Sequence, residues 1–103
     1  MLVGGAQVRP LVVYGASGHG KVVADILLAS GMTLAGFIDD GLAQSTLVLG
    51  LPVLGSYRWL EENADTRPRV ALGIGENRTR KTVASRCTGL GLELVTAVHP
   101  AAA

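Results

Sequence analysis

Leu11-Val12-Val13-Tyr14-Gly15-Ala16-Ser17-Gly18-His19-Gly20-Lys21-Val22-Val23 is the stretch that decides the fold of this 103-residue chain. A short apolar run rich in β-branched residues stops at Gly15, Gly18 and Gly20. Behind them apolar residues return at helical spacing, at Val22, Val23, Ile26 and Leu27. Strand, tight turn and helix in this order form the opening unit of a doubly wound α/β domain. Such a turn attracts anions for a physical reason. Glycine lets a ligand reach the main chain without meeting a Cβ. The first-turn N–H groups of the helix have no intrahelical partner, and they sit at the positive end of its dipole. Gly15, Ala16 and Gly20 are therefore expected to shape a phosphate loop. The spacing is G-x-x-G-x-G and not G-x-G-x-x-G, so it indicates a diphosphate without specifying a nicotinamide dinucleotide.

Working outward, Gly31 supplies a helix stop and Met32–Ile38 reads as a second strand ending in Asp39-Asp40. Gly41–Gly55 reads as an irregular connection with a short strand at Pro52-Val53-Leu54. Ser56 is placed to N-cap a short helix through about Asn63, with Tyr57, Trp59 and Leu60 turned inward. Thr66-Arg67-Pro68 is a turn, and Arg69–Ile74 is a further strand. Asn77 or Thr79 opens a helix to about Thr88 that buries Val83, Ala84 and Cys87, with Gly89 past its end. Leu92–Val98 gives the last strand. The alternation predicts a small three-layer, Rossmann-like α/β domain with a mostly parallel sheet.

The chain is about half apolar, enough for one core. Its net charge of +1 and few aromatics leave no footprint for nucleic acid. Arg78, Arg80 and Lys81 read as a solvated helix face. A lone cysteine, Cys87, forms no internal disulfide and fits a reducing, cytoplasmic setting as a buried packing residue. No apolar run approaches membrane-spanning length, and no secretory signal opens the chain. Residues 1–9 are expected to be a loose lead-in.

In such a sheet ligands bind outside the carboxyl ends of the strands, where strand order reverses. Three predicted strand ends bring distinctive residues there: Ser17, Gly18 and His19; then Asp39 and Asp40; then Gly75, Glu76 and Asn77. Asp39 lies where related folds place a carboxylate for a ribose hydroxyl or a base edge, although Asp-Asp-Gly is equally a polar turn. His19 could bond a phosphate or cap the helix; no local partner orients it as a general base. Asp25 is expected on the solvent face of the first helix. His19 and His99 have no metal-ligand spacing, so no metal site is expected.

Five ordered segments then carry a family pattern: Y-G-A-S-G-H-G-K-V-V-A-D at Tyr14–Asp25, F-I-D-D at Phe37–Asp40, G-x-P-V-L-G at Gly50–Gly55, G-I-G-E-N-R-T-R at Gly73–Arg80 and H-P-A-A at His99–Ala102. From about Arg9 onward the chain resembles the N-terminal domain of the PglD/NeuD family of sugar O- and N-acetyltransferases. The resemblance implies an α/β domain that holds a nucleotide-linked sugar, typically a UDP-amino sugar. It also implies a C-terminal left-handed β-helix that binds acetyl-CoA and assembles homotrimers. Ser17, Gly18, His19, Asp39, Asp40 and Gly75 would contact the sugar nucleotide, with Asn77 beside them, while Arg78 departs from the acidic residue of some relatives. The family's catalytic base is a histidine on the β-helix, so no residue here inherits a catalytic role, and His99 belongs to the junction at 99–103. The resemblance thus implies a truncated piece, expected to be monomeric, that binds no cofactor itself, with acetyl-CoA serving the full-length protein. A stand-alone NAD- or CoA-binding domain and a non-catalytic sensor module are the alternatives.

Overall fold

The computed structural model describes residues 9–97. The lead-in at 1–8, Val98, His99 and the rest of the 99–103 junction lie outside the described residues. The elements run β1 (Leu11–Tyr14), α1 (Gly18–Ala29), β2 (Gly36–Ile38), β3 (Leu47–Val48), β4 (Leu51–Gly55), α2 (Tyr57–Glu62), a 3₁₀ turn (Ala64–Thr66), β5 (Arg69–Leu72), α3 (Asn77–Gly89) and β6 (Glu93–Val95). They build one six-stranded sheet in the order β3-β4-β2-β1-β5-β6. All pairings are parallel except β3 with β4. The expected α/β class and mostly parallel sheet are observed.

β1 is wholly buried because it pairs on both sides, with β2 and with β5, and is covered on both faces. Its side chains alternate between two cores. Leu11 and Val13 pack with Val23, Ala24 and Leu27 of α1 and with Phe37. Val12 and Tyr14 pack with Leu60 of α2 and with Val83 and Cys87 of α3. The sheet therefore lies between α1 on one face and α2 with α3 on the other, the expected three layers. Cys87 is buried, as expected, and burial pushes its thiol up to about 11.

Strand bounds differ from the sequence reading for a common reason. α1 ends in a Schellman motif: Gly31, at φ +82°, donates to the Leu28 carbonyl, and Met32 donates to that of Leu27. α3 repeats it, with Gly91 at φ +77° donating to Thr88 and Leu92 to Cys87. The first apolar residue after each helix is thus held by the cap, and pairing starts later, at Gly36 for β2 and Glu93 for β6. Gly89 is the last helical residue of α3, and the glycine past its end is Gly91. The segment read as an irregular connection contains a hairpin, β3–β4. Its two turn residues, Leu49 and Gly50, have φ of +53° and +76°, the left-handed pair of a type I′ turn.

Candidate functional site

β1 connects outward through α1 to β2, whereas β5 connects the other way through α3 to β6. Strand order reverses between β1 and β5, and a cleft of about 450 Å³ opens there, at the strand carboxyl ends. Gly15, Ser17, Asp39, Asp40 and Gly75 of the expected residues line it, together with Tyr14, Gly73, Glu76 and Thr79.

The glycine turn is built by close approach of main chains. Gly15 has φ +107°, and a Cβ there would lie 2.7 Å from the Gly73 carbonyl oxygen. A Cβ on Gly20 would fall 1.8 Å from the Gly15 carbonyl oxygen, and one on Gly73 only 2.5 Å from Gly20 Cα. Gly15, Gly20 and Gly73 therefore let α1 start against the ends of β1 and β5. Gly18 differs, since a Cβ there would meet nothing within 4 Å. Ser17, Gly18 and His19 are all exposed. Ser17 N-caps α1 with its main chain, but no side chain caps the helix and no acidic residue sits in its first turn. The positive end of α1 is open.

α3 presents the opposite case. Glu76 is its N-cap and accepts from the N–H groups of Arg78 and Thr79, each at 2.8 Å, and from the Thr79 hydroxyl. The Thr79 hydroxyl, then these two N–H groups, hold the Glu76 carboxyl below its usual value. Sequence reading missed this cap because Glu is not among the favoured N-cap types; the Glu76-x-x-Thr79 spacing was the available signal. Asn77 opens α3 but does not line the cleft, and its Oδ1 accepts from the Arg80 guanidinium.

The two aspartates are engaged by the protein. Asp39 Oδ2 accepts from Ala16 N–H at 2.9 Å, and its Oδ1 accepts from Gly41 and Leu42 N–H at 2.8 and 3.0 Å. Ala16 itself is buried, its N–H fixed by this bond. Asp40 Oδ2 accepts from the Tyr14 hydroxyl at 2.7 Å, and Oδ1 from Tyr57 N–H at 2.9 Å. Tyr14 lies beneath the cleft; burial first, and then the bond to Asp40, raise its phenol above the ordinary range. Tyr57 carries the Arg86 guanidinium over its ring at 3.7 Å. A carboxylate offers about four acceptor positions, so Asp39, with three protein donors, has less left for a ligand than Asp40, with two.

His19 packs its ring above Gly75, whose Cβ would lie 3.7 Å from His19 Cγ and Nδ1. No hydrogen bond orients its imidazole among the described residues. Among these residues, no group of three His, Cys, Asp or Glu is arranged to hold a metal ion, and no helix is long and apolar enough to cross a membrane. Asp25 is exposed on α1 and Lys81 on α3, as read.

The family model described as the PglD N-terminal domain matches residues 10–87. Among solved structures, perosamine N-acetyltransferase from Caulobacter crescentus, in complex with CoA and GDP-perosamine, is similar over 90% of this chain at 34% identity and a TM-score of 0.81. PerB from the same organism, with the same two ligands, aligns at 35% identity and a TM-score of 0.80 over 90%. The acetyltransferase domain of PglB from Neisseria gonorrhoeae, in complex with acetyl coenzyme A, aligns over 89% at 33% identity and a TM-score of 0.75. In each case the chain spans 44% of the other structure's length. No curated protein matches.

Proposed function

The chain belongs to the PglD N-terminal domain family, and from that premise we propose that it holds a nucleotide-linked amino sugar as the acceptor half of an acetyl-CoA-dependent sugar acetyltransferase. The observation that carries this reading is the open N-terminus of α1 beside the switch-point cleft. A diphosphate there would take the first-turn N–H groups and the dipole in place of a side-chain cap. Asp40, the less committed aspartate, would accept from a ribose hydroxyl or a base N–H, with Asp39 holding the loop in shape. Glu76 disfavours a phosphate at the α3 side, which supports the diphosphate lying toward Ser17, Gly18 and His19.

GDP-perosamine in the Caulobacter structures supports the nucleotide-sugar class; the UDP-linked sugar that the family resemblance implies is its counterpart with another base. Acyl transfer needs an acceptor held at attack distance and a base for its proton. In this proposal the present chain supplies the first requirement in the cytoplasm, and the acetyl-CoA groove, the base and the trimer contacts belong to the rest of a longer protein.

Isothermal titration with UDP- and GDP-linked amino sugars, NADH and CoA tests the reading. Saturable binding of a sugar nucleotide is expected, weakened roughly tenfold or more by Gly18→Val, which puts a side chain across the phosphate approach without touching the fold. Unchanged affinity in folded Gly18→Val, or binding of NADH or CoA alone, overturns it.

A further inference from the structure

A larger cavity, of about 610 Å³, lies at the opposite end of the sheet, where β1 and β5 begin. Its volume is within the roughly 300–1,000 Å³ typical of small-molecule sites. One strand length of about 13 Å separates it from the cleft. Pro10, Met32, Leu54 and Trp59 give it an apolar wall. Five polar side chains complete the described lining, those of Arg9, Thr33, Asn63, Thr66 and Arg69, and three are already engaged. Arg9 pairs with Glu93 and bonds the Arg67 carbonyl. Asn63 donates to the Trp59 carbonyl, and Thr66 to that of Asn63.

Of the other two, Thr33 is neutral, whereas the Arg69 side chain has no hydrogen bond or ion pair among the described residues, and its Nε is shut away from water with no acceptor. Among the described residues no acidic side chain lines the cavity to balance it. An unmet donor in such a place is costly, and more so when it carries a charge. A guanidinium is best completed by a planar acceptor that takes Nε and a terminal nitrogen together, which is the geometry of a carboxylate. The remaining wall would accept an apolar ring against Trp59.

We propose that this cavity is a second ligand site, for a small organic carboxylate with an apolar ring, held by Arg69 and packed on Trp59. The site is separate from the sugar-nucleotide cleft and stands whether or not that reading holds. Binding draws the Arg69 fork toward the cavity, so that Nε gains the acceptor it now lacks.

Trp59 is the chain's only tryptophan, so its emission reports on the cavity directly. The test is a titration with cyclohexanecarboxylate, which does not absorb in the tryptophan range, against the uncharged cyclohexanecarboxamide. A saturable change in Trp59 emission is expected with the carboxylate, at least tenfold weaker with the amide on the same unaltered protein. Arg69→Gln should remove the difference between the two ligands, Arg69→Lys should restore part of it, and Gly18→Val in the distant cleft should leave it intact. The absence of a saturable change at millimolar ligand, or equal binding of acid and amide by the unaltered protein, overturns the proposal. So does loss of the signal in Gly18→Val, which would place the carboxylate at the open end of α1.

Discussion

Gly20, in the first turn of α1, lies so close to the end of β1 that a Cβ on it would stand 1.8 Å from the carbonyl oxygen of Gly15. The two glycines of one turn are packed main chain to main chain, whereas a Cβ added to Gly18 between them would meet nothing within 4 Å. The turn therefore has two functions divided among its glycines. Gly15 and Gly20 serve packing, and under the proposed function Gly18 keeps the approach to the first turn of α1 free of a side chain.

Gly20→Ala should destabilise the domain by about 1–3 kcal/mol or prevent folding, because the blocking atom is main chain and cannot swing aside. Gly18→Ala should be neutral or slightly stabilising, up to about 1 kcal/mol, since it replaces an exposed helical glycine. Urea denaturation of the two variants beside the parent protein checks the contrast, and equal losses would contradict it.

Asp40→Ala should cost more than Tyr14→Phe. The phenylalanine removes a buried donor and leaves a solvated carboxylate, at about 1 kcal/mol. The alanine strands the buried Tyr14 hydroxyl and the first N–H of α2 as well, which adds to about 1–3 kcal/mol. Thermal unfolding of both variants and of the double variant measures the coupling.

Glu76 has its pKa lowered below the ordinary 4.5 by the donors of α3. A folded pKa below the unfolded one means that its contribution is present above pH 4.5 and is lost as pH falls through the folded value. Acid titration followed by circular dichroism should show part of the helical signal weakening below pH 4.5 in the parent. Glu76→Gln should flatten that part of the curve.

Leu49 occupies a left-handed turn position that costs a branched residue about 1–2 kcal/mol, and its side chain is 48% exposed, so little packing offsets the strain. Leu49→Asn creates the Asn-Gly pair favoured by a type I′ turn. A gain of about 1 kcal/mol in urea denaturation is expected.

Cys87 should resist thiol reagents in the folded protein at neutral pH, because burial both excludes the reagent and holds the thiol protonated with its pKa near 11. Reaction with a chromogenic disulfide should follow the unfolding curve in urea.

Local chemistry was the legible part of this chain. β1 and α1 announce themselves through a β-branched run, glycines and helical spacing within a few residues of one another. The hairpin was hidden because its turn is Leu49-Gly50, a pair that does not advertise positive φ. The late starts of β2 and β6 were hidden because Met32 and Leu92 look like strand residues while capping the preceding helices. The convergence of Ser17, Asp39 and Gly75 on one cleft followed from topology rules alone. The partners of Asp39 and Asp40 did not, since Ala16, Tyr14 and Tyr57 stand 17 to 26 residues away along the chain.

Two helix N-termini look into one cleft, one bare and the other filled by its own carboxylate. The cleft thereby has a direction. A ligand carrying charge at one end and neutral polar groups at the other meets a favourable and an unfavourable way to enter, and the preference is set by Glu76 without any need to touch the ligand. Emptying that cap would present two anion-seeking helix ends in the cleft in place of one, and a ligand charged at one end would lose its reason to lie one way round.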